Sequence, residues 1–92
     1  MARLIIPTPL RKFTNDLSSF ESSASNVRDV IHDLANKFSG LKPHLFDGDG
    51  NIRSFVRIYV GDEDIQALDR DQTQVSQDSV ISIIPAIAGG VD

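Results

Sequence analysis

In the stretch NVRDVIHDLANKF, Asn26 to Phe38, the apolar residues Val27, Val30, Ile31, Leu34, Ala35 and Phe38 recur at i, i+3, i+4, i+7, i+8 and i+11. That period draws one continuous apolar stripe along a helix. Ser25 or Asn26 supplies the N-cap, Gly40 stands where a left-handed C-terminal cap belongs, and Pro43 blocks continuation. The spacing therefore predicts one main helix over about residues 26–39. A stripe of this kind has to be covered, and in a chain of 92 residues the cover has to be a single sheet.

The strands of that sheet can be sought by alternation. Arg3 to Ile6 reads as a short strand broken by Pro7 and Pro9, whose missing N–H groups cannot serve a central ladder. Leu17 to Glu21 is a weaker candidate. Arg11-Lys12 and the turn residues Asn15 and Asp16 lie between the two, which suggests a long N-terminal hairpin. Ile52 to Val60 is rich in β-branched and aromatic residues and predicts a long strand, with Val56, Ile58 and Val60 on one face and Phe55, Arg57 and Tyr59 on the other. Val80 to Ile84 is the last strand: Ile81 and Ile83 share one face, Ser82 and Ile84 the other. Gly61 to Gln77 reads as a polar, irregular loop that Ile65 and Leu68 pin to the core. The order strand, strand, helix, strand, loop, strand predicts an α+β fold. Its expected form is a ubiquitin-like β-grasp, a mixed sheet of four or five strands packed on one main helix.

Size and charge narrow the function classes. One domain of this length buries only about 60–65% of its unfolded surface, and without cysteine it has no disulfide to assist. The lack of cysteine also removes a thiolate nucleophile and Cys-based zinc sites, and makes cytoplasmic residence the expectation. MARLIIPTPL contains too short an apolar run for a signal sequence or membrane span, so neither export nor a membrane partner is expected. The net charge is -4 and the basic residues are scattered, which argues against nucleic acid and for basic patches on protein partners.

Several stretches invite a chemical reading and are better read otherwise. FDGDGN, Phe46 to Asn51, has the alternating acids of a calcium loop. However, the positions that need Gly and a bidentate Glu hold Ile52 and Ile58, so a Gly/Asp turn is expected. His32 and His44 have no metal-ligand spacing and no Gly-x-Ser-x-Gly elbow to serve. GDED, Gly61 to Asp64, is expected to be a solvated turn. No metal site, no bound cofactor and no catalytic residue is expected.

The ending SIIPAIAGGVD is different. Beyond residues 1–85, expected to be the folded domain, residues 86–92 read as a flexible tail with Gly89, Gly90 and a two-residue extension. Glycines lack side chains and adopt any backbone conformation, which suits an acyl terminus that must enter another enzyme's narrow channel.

Three stretches carry a resemblance: IPTPLRKFT near the start, FVRIYVGDEDI in the middle and DSVISIIPAIAGG at the end. Together with the helix they make the chain similar to the β-grasp sulfur-carrier proteins, the ThiS and MoaD relatives, and most of all to carriers of the CysO type. The resemblance implies a carrier that is not itself an enzyme. Its C-terminal glycine carboxylate, here that of Gly90, is adenylated by an ATP-using activating enzyme and converted to a thiocarboxylate. Within the CysO type it further implies a PLP-dependent cysteine synthase, which couples the thiocarboxylate to an activated serine derivative, and a JAMM-type zinc metalloprotease. Val91 and Asp92 depart from the pattern, because activation at Gly90 requires the bond between Gly90 and Val91 to be cut first. Removal of Val91-Asp92 by the metalloprotease is the expectation.

The body should also carry a docking patch. By alternation Phe55, Tyr59, Ile84 and Pro85 are expected on the sheet face opposite the helix, leading to the tail. Other functions use the same fold: a ubiquitin-like covalent modifier linked through Gly90, a MoaD-type small subunit of molybdopterin synthase, or a plain β-grasp binding module with an inert tail.

Overall fold

The structure is a computed structural model, and it describes residues 1–85. Strands β1 (Ala2–Ile5), β2 (Ser19–Ser22), β3 (Val56–Val60), β4 (Glu63–Asp64) and β5 (Val80–Pro85) form one sheet in the order β2-β1-β5-β3-β4. β1 and β5 run parallel, and every other neighbour is antiparallel. One main helix, α1 (Val27–Lys37), covers this mixed sheet, as the element order predicts.

α1 forms where its stripe and its cap agree. The Asn26 side chain accepts a hydrogen bond of 2.8 Å from the Asp29 N–H, which satisfies one of the helix's orphan donors. Val27, Val30, Ile31, Leu34 and Ala35 are fully buried and share one core with Leu4, Ile58, Ile81 and Ile83 of the sheet. Replacing Asn26 by Ala should cost about 1 kcal/mol of stability, read as a lower thermal midpoint with an unchanged far-ultraviolet spectrum.

The helix does not end as the sequence suggests. Gly40 is not in the left-handed region, which among the described glycines holds only Gly50 and Gly61. Instead Phe38 closes α1 with φ -125° and ψ 82°, and a 3-10 turn at Ser39–Leu41 leads into a second short helix, α2 (Lys42–Leu45). Pro43 opens α2 rather than stopping the chain, since a missing N–H costs nothing in a helix's first turn. Leu41 and Leu45 are fully buried, and their burial draws the segment back onto the core.

Two strand boundaries also move. Leu17 belongs to a turn in which Asn15 and Asp16 adopt φ of 56° and 67° and the Leu17 N–H donates to the Thr14 carbonyl, so β2 starts at Ser19. A further 3-10 helix at Thr8–Phe13 fills the hairpin connection. Ile52 makes one isolated bridge, to Phe46, and the Val56 N–H donates to the Arg53 carbonyl at 3.0 Å. That bond closes a turn, so β3 begins at Val56 and Phe55 precedes it. The stretch Gly61 to Gln77 is more ordered than a loop: it holds β4 and two 3-10 turns, Ile65–Ala67 and Arg70–Gln72, with Ile65 buried.

FDGDGN is the turn its composition suggests. The Asp47 carboxylate accepts from the N–H groups of Asp49 and Asn51 at 2.9 and 3.1 Å, and Gly50 takes φ 82°. Arg28 braces the turn by donating to the Gly50 carbonyl at 3.0 Å while pairing with Asp71 at 2.9 Å.

Candidate partner-docking face and tail exit

β5 is the middle strand, and the tail departs from its end. β1 accompanies β5 only as far as the Ile5–Ser82 pair, because Pro7 and the 3-10 turn after it take the chain out of the sheet. β3 continues further, to the Val56–Pro85 pair. The last three residues of β5 therefore have a strand on one side only, and the chain leaves the sheet beside the start of β3.

Alternation along β5 sorts its two faces. Ile81 and Ile83 are buried under α1, whereas Val80 and Ile84 are 43% and 50% exposed on the outward face. Register supplies their neighbours: Arg3 lies beside Val80, Ile5 and Tyr59 flank Ser82, and Arg57 lies beside Ile84. Two ion pairs border the face, Arg57 with Asp64 at 3.4 Å and Arg3 with Glu21 at 3.8 Å. Their arginines are more than half exposed, so the pairs contribute little to stability and leave the charges available to a partner.

The four residues of the expected patch separate. Tyr59 and Ile84 do share the outward face. Phe55 is 45% exposed, but it lies in the turn ahead of β3, with the Arg53 guanidinium 5.8 Å from its ring centre. Pro85 has to be reassigned: its register partner is Val56, a buried helix-side position, so Pro85 falls in the row of Ile81 and Ile83 and not in the outward row. The residues that replace it are Val80 and Ile5. Val80 could have been found by extending the Ser82–Ile84 alternation by one step, whereas Ile5 required the parallel register of β1 with β5. Gly89, Gly90 and Val91, the expected sulfur-carrying terminus and processing site, lie outside the described residues.

The other candidates have structural roles. His32 stacks on Phe46 with ring centres 4.4 Å apart, and His44 packs on Phe13 at 4.5 Å. In the GDED turn Gly61 takes φ 61°, and Asp64 caps the Ile65–Ala67 turn by accepting from the Gln66 N–H at 2.8 Å. Among the described residues no group of three or more His, Asp or Glu side chains is placed to hold a metal ion, and no helix is long and apolar enough to cross a membrane. The outward face of the sheet presents an apolar row, rimmed by arginines, that leads to the end of the central strand.

Residues 4–90 match the ThiS family, a span that begins in β1 and ends on the second glycine of the tail. The chain belongs to the ThiS family. It is 37% identical over 87 residues to the sulfur carrier protein CysO of Mycobacterium tuberculosis, covering 92% of this chain and 94% of the relative. Its fold is similar to that of a chain in the Amycolatopsis orientalis BexX/CysO complex, with a TM-score of 0.86 at 30% identity over 98% of this chain and 100% of the other. The small archaeal modifier protein 1 of Methanosarcina acetivorans shares the β-grasp fold, with a TM-score of 0.87 at 23% identity over 97% and 95% of the two chains. The ThiS-family match stops at Gly90, so Val91 and Asp92 lie beyond the family's span.

Proposed function

We propose that this ThiS-family chain is a sulfur carrier of the CysO kind, with the Gly90 carboxylate as its acyl group. The observation that carries the reading is the family match ending on Gly90, together with 37% identity to a sulfur carrier along nearly the whole chain. In this reading a protease first cuts between Gly90 and Val91. The exposed carboxylate attacks the α-phosphate of ATP in an activating enzyme, releasing pyrophosphate, and a sulfur nucleophile then displaces AMP to leave the thiocarboxylate. The carrier supplies the acyl group, and the partners supply the catalysis, ATP and PLP. An adenylating enzyme, a PLP-dependent cysteine synthase and a JAMM-type metalloprotease are the partners that fit, with the sulfur passing to cysteine biosynthesis in the cytoplasm.

The outward sheet face is the surface that would seat the activating enzyme. Exposed apolar side chains next to a terminus that must be delivered are a natural anchor, since a few central residues usually dominate an interface. Replacing Tyr59 and Ile84 together by Ala should weaken activating-enzyme binding by about tenfold or more, measured by calorimetry. The thermal midpoint should change little, because neither side chain belongs to the core. An unchanged affinity would reject this face as the docking surface.

A further inference from the structure

The helix layer carries a cleft that shares no residue with the outward sheet face. Its volume is about 510 Å³, and its lining includes His32 of α1, Lys42 and Pro43 of α2, and Phe46, Gly48 and Arg53 from the segment that follows. That volume lies in the range of about 300–1,000 Å³ usual for small-molecule sites.

The floor is aromatic. Phe46 is almost fully buried and covers one face of the His32 imidazole, with the ring planes 19° apart, while His32 itself is only half-buried. The wall is cationic and held in place. The Arg53 Nε donates to the Pro43 carbonyl at 2.8 Å and its backbone N–H to the Leu45 carbonyl at 2.9 Å, which fixes the guanidinium at the cleft. Its two terminal nitrogens have no acceptor among the described residues, and neither does the Gly48 N–H. Lys42 adds a second positive charge. Asp47 also lines the cleft, but its carboxylate is committed to the N–H groups of Asp49 and Asn51. Two cations face one committed carboxylate in a chain whose net charge is -4. With the loop braced by Arg28, little would have to be ordered on binding.

We propose that this cleft binds a small anion with a planar aromatic body, of the nucleoside monophosphate class. The ring stacks on the uncovered side of His32, against Pro43. The phosphate accepts hydrogen bonds from Arg53 and an ion pair from Lys42, a combination suited to a dianion with three acceptor oxygens.

Amide NMR of the full chain titrated with AMP tests this, with adenosine and inorganic phosphate as separate arms. AMP should give saturable shifts at His32, Phe46, Gly48 and Arg53, and adenosine and phosphate alone should each bind about tenfold more weakly or worse. Lys42→Gln, at an exposed position outside the core, should weaken AMP several-fold. The combination with Arg53→Gln should weaken it by about tenfold or more. Absence of saturable shifts at these residues overturns the proposal, as does an adenosine or phosphate affinity equal to that of AMP, or an unchanged AMP affinity in Lys42→Gln. None of these readouts involves Gly90, so this site and the carrier reading stand or fall separately.

Discussion

Shortening the chain to Gly90 is expected to permit ATP-dependent activation by the adenylating partner, and shortening it by one residue more, to Gly89, is expected to abolish it. The reasoning combines geometry and chemistry. β5 ends at Pro85 against the first residue of β3, and Gly90 is the fifth residue after Pro85. At about 3.3–3.6 Å per extended residue, five residues reach at most roughly 18 Å beyond the sheet. An acyl group delivered down a channel of fixed depth loses its alignment when the reach falls by one residue, and misplacement of about 1 Å already costs on the order of a hundredfold in rate. The chain ending at Asp92 is expected to remain inert, because its Gly90 carbonyl is tied up in a peptide bond. Pyrophosphate release with purified activating enzyme measures all three forms. Activation of the Asp92-ended chain as fast as the Gly90-ended one would contradict the proposed guard.

Ile81→Ala should have the largest effect on stability. Ile81 is fully buried in the central strand, paired with Leu4 of β1 on one side and Val60 of β3 on the other, and covered by α1. Truncation removes buried methyl groups and leaves a cavity that two flanking strands and a helix cannot easily collapse, for a loss of about 2–5 kcal/mol. In a domain of this size each kcal/mol shifts the midpoint by about 4–8 °C, so the variant should melt at least about 10 °C below the parent. Ile84→Ala on the same strand should melt within a few degrees of the parent, since its side chain is half exposed. Calorimetry of the two variants measures the contrast. Equal losses would mean that the two faces of β5 have been misassigned.

Those two residues show which parts of the molecule were legible beforehand. The 3.6-residue stripe of α1 and the two-residue alternation of β5 are local periodicities, and both predict buried faces that the structure contains. The element order was enough for a β-grasp sheet on one helix. What was not legible depends on contacts between distant segments. Phe55 looked like part of a strand until the Val56–Arg53 bond placed a turn there. Gly40 and Pro43 looked like a stop signal, yet the burial of Leu41 and Leu45 carries the chain on into α2. Pro85 is a different case: neighbours in a strand alternate faces, so it could not share a face with Ile84, and the register with Val56 agrees with that alternation. The cationic cleft had no sequence signature, since His32 and Phe46 meet only when α1 and the segment after α2 pack together. The terminal glycines were legible as a motif, and the ThiS-family match extends to Gly90.

The intact mass of the protein from its native cell tests the central claim most directly. The account predicts loss of Val91-Asp92 and, in a fraction of molecules, a gain of about 16 Da where sulfur replaces one oxygen of the Gly90 carboxylate. A population that retains Asp92 throughout, with no sulfur on any shorter form, would contradict it.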